Sequence, residues 1–249
     1  MLSLVAISLL ATLANGEIVV LGAASLKGAV TEIAMQFEKR NPEARVRLGF
    51  SGSQALATQV SLGAPCDVFL SADRRQVDSL IKSSFISRTD ARLFATNTLV
   101  VMVSNRSSIK VHSLSDLEKP GLQLCLAAPE VPAGLYTRQV LSEAAGELGS
   151  VWLSAVKRNI VSRENNVTAV WSRIEMGEAD AGIVYATDAR RAKNSRIVVF
   201  PKRWNVRAGY IGAVTQKSKN EPLAAKFFAY VLSSDGQKIL TKYGFGVAR

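Results

Sequence analysis

Val19-Val20-Leu21-Gly22-Ala23-Ala24-Ser25-Leu26-Lys27-Gly28-Ala29-Val30 runs from an apolar strand through small residues into the start of a helix. A strand, a glycine-bearing turn and a helix N-terminus together make a site for an anion, because the first N–H groups of a helix have no intrahelical partner. The spacing fits neither the dinucleotide fingerprint nor the phosphate loop of nucleotide hydrolases, and no Lys-Ser/Thr pair closes it. Leu26, Ala29, Val30, Ile33, Ala34 and Phe37 then fall on one helical stripe that Asn41-Pro42 ends.

Outward from this unit, short apolar runs alternate with amphipathic segments, the pattern of an α/β chain with mainly parallel strands. Val46 to Phe50 reads as a second strand, with Ser53 in the N-cap position before a helix over Gln54 to Leu62 that Gly63 terminates. Asp67 to Leu70 reads as a third strand leading through Ser71-Ala72-Asp73 into another helix. Further strands are predicted at Thr98 to Val103, Gln123 to Ala127, Ala181 to Tyr185, Ile197 to Phe200 and Tyr210 to Val214. Pro129 to Gly134 turns into a helix carrying Leu135, Val140 and Leu141. Asn165-Asn166 precede one with Val167, Val170, Trp171 and Ile174 on a single face, and two short helices close the chain.

The 249 residues, 48% of them hydrophobic, suffice for one large domain or two lobes. Leu2 to Leu13 is an apolar run too short to span a bilayer and is followed by the small-x-small pattern Ala14-Asn15-Gly16. Residues 1–16 therefore read as a secretory signal peptide cut before Glu17, with a cut after Ala14 as the alternative. It lacks the usual basic n-region, since Lys27 is the first basic residue; a start codon upstream of the assigned one would explain this. The net charge of +11 does not depend on this leader, and the basic residues are dispersed rather than gathered into a nucleic-acid-binding helix or module. A solvated basic surface that steers small anions is the expectation. Cys66 and Cys125 lie in or beside apolar runs and read as small core residues, with a disulfide left open. One histidine and no Cys/His cluster argue against a metal site.

Hydrolytic chemistry lacks its parts. The only histidine, His112, lies in Val111-His112-Ser113-Leu114-Ser115-Asp116, which reads as a surface loop entering a capped helix, and there is no G-x-S-x-G elbow. Asp67, Asp73 and Asp180 have ordinary cap or strand-end roles. Four strand-to-helix junctions share another chemistry: Ser25, Ser53, the Pro132-Ala133-Gly134 turn and the Asn166-Val167 turn each offer free backbone N–H groups, and two add a hydroxyl. Singly, each serine is an ordinary cap. Four junctions at the carboxyl ends of strands converge on the crevice of an open α/β sheet, and Tyr185 ends another strand there. A tyrosine in that place is as readily a core residue as a ligand-facing one.

Ala23-Ala24-Ser25-Leu26, Phe50-Ser51-Gly52-Ser53, Gly63 to Asp73, Val131-Pro132-Ala133-Gly134-Leu135-Tyr136 and Gly177 to Tyr185 resemble, in order and over nearly the whole mature chain, the motifs of the periplasmic molybdate-binding proteins of ABC transporters. The closing Lys242-Tyr243-Gly244-Phe245 is similar as well. The resemblance implies a two-lobed periplasmic-binding-protein fold with no catalytic activity. It also implies no cofactor, a molybdate or tungstate ligand, a membrane permease as partner and a monomeric state. It implies a tetrahedral oxyanion held by neutral donors: the hydroxyls and N–H groups of Ser25 and Ser53, the N–H groups of Ala133 and Val167, and the hydroxyl of Tyr185. Around Val167 the chain reads Asn165-Asn166-Val167-Thr168 where the family often has Glu-Asn-Val-Arg, a change that a backbone donor tolerates. Two crossing strands are expected near Asn97 to Val103 and Tyr210 to Val214, giving one lobe from 17–96 plus 213–249 and a second from 97–212.

Such a site suits a fully deprotonated dianion. Phosphate usually keeps a proton, which needs an acceptor, and an unmet buried hydrogen bond costs roughly 1–3 kcal/mol. That exclusion holds if no carboxylate, Glu164 or Asp67 first of all, enters the pocket. Sulfate is the alternative ligand, since cavity size would decide it. An effector domain of a transcription regulator could share the architecture, but it would call for a helix-turn-helix and no leader.

Overall fold

The computed structural model describes residues 16–247; the leader over 1–16 lies, but for Gly16, outside the described residues. Two mixed sheets, each flanked by helices, account for the chain. In order the elements are β1 (Gly16–Ala23), α1 (Lys27–Arg40), β2 (Ala44–Ser51), α2 (Ser53–Ser61), β3 (Val68–Ser71), α3 (Arg74–Lys82), β4 (Arg92–Asn97) and β5 (Leu99–Ser104). There follow β6 (Leu124–Ala127), α4 (Pro132–Arg158), β7 (Ile160–Glu164), α5 (Val167–Met176), β8 (Ala181–Tyr185), α6 (Ala186–Ala189) and β9 (Ser195–Val199). The last are β10 (Ala208–Val214), α7 (Glu221–Leu232), α8 (Ser234–Lys242) and β11 (Gly246–Val247).

The first sheet has the order β11-β4-β10-β3-β1-β2 and the second β7-β6-β8-β5-β9. In the first, β2, β1 and β3 run parallel; in the second, β7, β6 and β8 do the same. Each sheet thus has a strand, β1 or β6, whose two parallel neighbours are reached by crossovers in opposite directions. That is the topological switch point at which α/β sheets open a crevice beyond their strand ends. Each sheet also contains one reversed inner strand, β10 or β5, and each is the first strand the chain forms after arriving from the other sheet.

The central strands are continuous apolar runs because both faces are covered by helices: every residue of β3, β5, β6 and β8 is buried. The stripe expected on α1 is the face it buries, through Ala29, Val30, Ile33, Ala34 and Phe37. Asn41 ends this helix and its side-chain amide donates to the Phe37 carbonyl at 2.8 Å. α4 is longer than its sequence pattern suggested and breaks at Gly149, whose φ of 88° lies in the region glycine alone enters easily.

The chain passes from the first sheet to the second at Thr98, between β4 and β5. The return differs from the expectation. Tyr210 to Val214 does not cross, because β10 is paired within the first sheet from Ala208 (opposite Asn97) to Val214 (opposite Val68). A boundary between 212 and 213 would cut this strand. The return crossing is the segment 200–207, and Asn205 ties the two passages together: its Oδ1 accepts from the Leu99 N–H at 3.1 Å and its Nδ2 donates to the Leu99 carbonyl at 2.8 Å. Cys66, just before β3, and Cys125, in β6, are free and buried, and burial pushes their thiols up to about 12 and about 11. Among the described residues no helix is long and apolar enough to cross a membrane.

Candidate functional site

A small cavity, with about 210 Å³ of empty space up to its mouth, lies between the two sheets. Its wall is made by the carboxyl ends of six strands. From the first sheet come Ala23 at the end of β1 with Ala24 and Ser25 beyond it, Ser51 at the end of β2 with Gly52 and Ser53 beyond it, and Ala72 after β3. From the second come Val131, Pro132 and Ala133 after β6, Asn166 and Val167 after β7, and Tyr185 at the end of β8. The five residues expected to face an anion, Ser25, Ser53, Ala133, Val167 and Tyr185, all lie on this wall.

Each junction is shaped by local sequence, though not always as expected. Ser53 is the first helical residue of α2 and not its cap; Gly52 holds the cap position, and the Ser53 hydroxyl oxygen accepts from the Ala72 N–H at 3.1 Å. Ser25 likewise caps nothing. It sits in a single turn of tighter 3-10 helix over Ala24–Leu26, and its hydroxyl meets the Tyr210 hydroxyl at 2.9 Å. Neither hydroxyl caps its own helix, and both residues line the cavity. α4 starts with Pro132, whose missing N–H costs nothing at that position. A Cβ on Gly134 would lie 1.9 Å from the Ala128 carbonyl oxygen and 2.7 Å from that of Ala127, so only glycine lets this helix start so close to β6. Asn166 caps α5, accepting from the Ala169 N–H at 2.9 Å, which leaves the Val167 N–H at the helix tip.

No Lys, Arg, Asp or Glu stands among the lining residues. Glu164 is engaged with Arg173 at 2.5 Å, and Asp67 accepts from the Val19 and Lys219 N–H groups, so neither carboxylate enters. Asp73 caps α3 and Asp180 accepts from the Gln123 N–H. Lys27 is exposed. His112 lies on an exposed loop whose N–H groups are capped by Asp116. Among the described residues no Cys, His, Asp and Glu cluster could hold a metal ion. Positive charge lies just outside: a neighbouring hollow of about 630 Å³ shares Ser25 and carries Arg190, Arg191 and Lys242.

Tyr185 is 1% exposed, and its hydroxyl has no hydrogen-bond partner among the described residues. Burial pushes its phenol well above the usual tyrosine value, so the group is a neutral O–H donor. The two sheets touch around it. Its ring packs against Tyr210 with centroids 5.7 Å apart, and Gln54 reaches across to donate to the Asn165 carbonyl at 2.8 Å. Behind the wall, Asn97 donates to Thr187 at 2.9 Å and to the Tyr210 hydroxyl at 3.3 Å. Sequence spacing carried no signal for Tyr210 or Asn97, because Tyr210 stands 185 residues from the serine it touches. Asp188, fully buried beside Tyr185, is pushed up to about 6 by burial against the pull of Arg191.

A family model described as bacterial extracellular solute-binding protein matches residues 18–246. The molybdate-binding protein ModA of Mycobacterium tuberculosis H37Rv is 39% identical over 230 residues, 92% of this chain and 84% of that protein. Among solved structures, the periplasmic molybdate-binding protein of Azotobacter vinelandii superposes with a TM-score of 0.80 at 22% identity, covering 93% of this chain and 100% of that one. The sulfate-binding protein SubI from Mycobacterium tuberculosis H37Rv superposes at 0.83 with 15% identity, covering 92% and 86%. These two structures speak to the fold alone.

Proposed function

The chain belongs to the bacterial extracellular solute-binding proteins, and we propose that it binds molybdate, and with it tungstate, outside the cytoplasm and hands it to an ABC permease. One observation carries this reading: a small cavity between two sheets whose lining offers hydroxyl and N–H donors and no ionised side chain. Ser25 and Ser53 supply hydroxyls and N–H groups, Ala133 and Val167 supply N–H groups from helix tips, and Tyr185 supplies its hydroxyl. The helix N-termini add partial positive charge without a mobile counter-ion. The basic residues outside raise the local anion concentration and speed entry. The 39% identical relative is a molybdate-binding protein, which fits a site with no general base and no activated nucleophile.

Each sheet with its helices is taken as one lobe, 16–97 plus 208–247 and 99–199, hinged where Asn205 grips Leu99. Ligand closes the lobes, and the permease recognises the closed form. The protein acts as a monomer after loss of a leader over residues 1–16.

The first sheet alone brings Ser25 and Ser53, the second Ala133, Val167 and Tyr185, so neither lobe holds a full donor set. Sulfate is the second reading, because a sulfate-binding protein shares the fold; the much higher sequence identity to a molybdate-binding protein favours molybdate. Calorimetric titration of the mature chain with molybdate, sulfate and phosphate tests this. The expected result is one tight site for molybdate; tighter sulfate binding replaces the reading with its rival, and no binding of any anion removes both.

A further inference from the structure

A site of donors discriminates against protonated oxyanions only if its hydroxyls are kept from turning round, since a serine hydroxyl accepts as readily as it donates. Two of the five expected ligand groups are serine hydroxyls. What lies behind each of them decides which way its proton points.

Behind Ser25 stands Tyr210, fully buried, with two hydrogen-bond partners. One is the side-chain amide of Asn97, whose orientation is fixed independently: its Oδ1 accepts from the Thr98 N–H at 2.9 Å, so the group facing Tyr210 is the NH2. An NH2 only donates. The Tyr210 oxygen therefore accepts from Asn97 at 3.3 Å, and its O–H has one acceptor left, the Ser25 oxygen at 2.9 Å. If Ser25 donated instead, the Tyr210 proton would be buried without a partner. Burial raises the Tyr210 phenol far above its usual value, which keeps that proton in place. With one lone pair taken by the Tyr210 O–H, Ser25 does not spend its own proton on Tyr210 and keeps it for the cavity it lines, with half of its acceptor capacity used. Ser53 is set in the same way by the Ala72 N–H, a donor that cannot be reversed.

We propose that Tyr210, oriented by Asn97, is a positioning residue that fixes the proton polarity of Ser25 and makes the site select oxyanions carrying no proton. This deepens the anion-binding reading and rests on it. Neither residue lines the cavity; they act through Ser25.

The test is competition against bound molybdate by sulfate and by monohydrogen phosphate, at matched ionic strength and mildly alkaline pH. Both competitors are then tetrahedral dianions, and they differ in one proton. In the wild-type protein sulfate competes better. In Tyr210→Phe the Ser25 hydroxyl is free to accept, and the sulfate-to-phosphate ratio falls roughly two- to tenfold, the equivalent of one net hydrogen bond. Asn97→Asp goes further: its carboxylate accepts the Tyr210 O–H as a hydrogen bond, Ser25 donates to the Tyr210 oxygen, and the ratio falls again although added charge weakens both dianions equally. A purely structural role for Tyr210 lowers affinity for all anions and leaves the ratio within twofold of wild type. That outcome, or phosphate still failing to compete in both variants, overturns the proposal. A wild-type chain that binds no molybdate overturns the underlying reading instead.

Discussion

Replacing Tyr185 with phenylalanine separates folding from binding in a way few substitutions at a ligand site do. The hydroxyl is buried, 1% of the residue is exposed, and no group among the described residues pairs with it. An unpaired buried hydroxyl costs the fold roughly 1–3 kcal/mol, whereas removing it while keeping the ring is neutral or favourable. The ring contact with Tyr210, at 5.7 Å between centroids, is retained in Tyr185→Phe. The free protein is therefore expected to gain about 1 kcal/mol, which raises the midpoint of thermal unfolding by about 2–4 °C at this chain length. With molybdate the sign reverses. The anion loses one of its buried donors, so affinity drops by roughly 1–3 kcal/mol, about five- to 150-fold. Differential scanning calorimetry with and without molybdate, beside isothermal titration, reads both effects on one sample. A variant that melts lower when free and binds molybdate as wild type does would refute the assignment of this hydroxyl to the ligand.

The other expectations concern the frame of the site. Gly134→Ala places a Cβ 1.9 Å from the Ala128 carbonyl oxygen, so the start of α4 has to move; urea unfolding should show a loss of about 1–3 kcal/mol, and molybdate binding should weaken because the Ala133 N–H moves too. Unchanged stability and affinity would contradict the close packing. Asp188 titrates at about 6 in the fold against 3.8 as a free side chain, its native value being the raised one. The protonated form's contribution is thus fully present below pH 3.8 and is lost as pH rises through about 6, on the order of 3 kcal/mol. Asp188→Asn should flatten that decline in denaturation series across this range; an unaltered slope would mean that Asp188 is not its source.

Much of this was legible in the chain because the site is built from local units. A strand running into a small-residue turn and a helix is encoded within about a dozen residues, and Val19 to Val30 shows all three parts. The fully covered strands β5 and β8 announced themselves as unbroken apolar runs. Outer strands were harder. The edge strand β7 alternates half-buried and exposed residues over Ile160 to Glu164, and β4, covered on its outer side only by the two-residue β11, opens with exposed Arg92 and Leu93, so neither has the apolar density of a central strand. The return crossing was misplaced for a related reason: the apolar stretch Tyr210 to Val214 belongs to a sheet interior, and the crossing at 200–207 is held by Asn205, whose partner Leu99 lies 106 positions away. The two serines do stand at strand ends on the cavity wall, yet the capping role expected of them was wrong. Gly52 holds one cap position and Ala23 precedes the other turn, so neither hydroxyl caps its own helix. Tyr210 and Asn97 were invisible, because only the folded sheet brings them behind Ser25.

The central claim, that neutral groups from both lobes enclose one oxyanion, is tested most directly by a crystal structure of the mature chain with tungstate, using the anomalous signal of tungsten. A single peak is predicted among Ser25, Ser53, Ala133, Val167 and Tyr185, with hydrogen-bond distances to all five. A peak in the basic hollow beside Arg190, Arg191 and Lys242, or contacts to one lobe only, would contradict it.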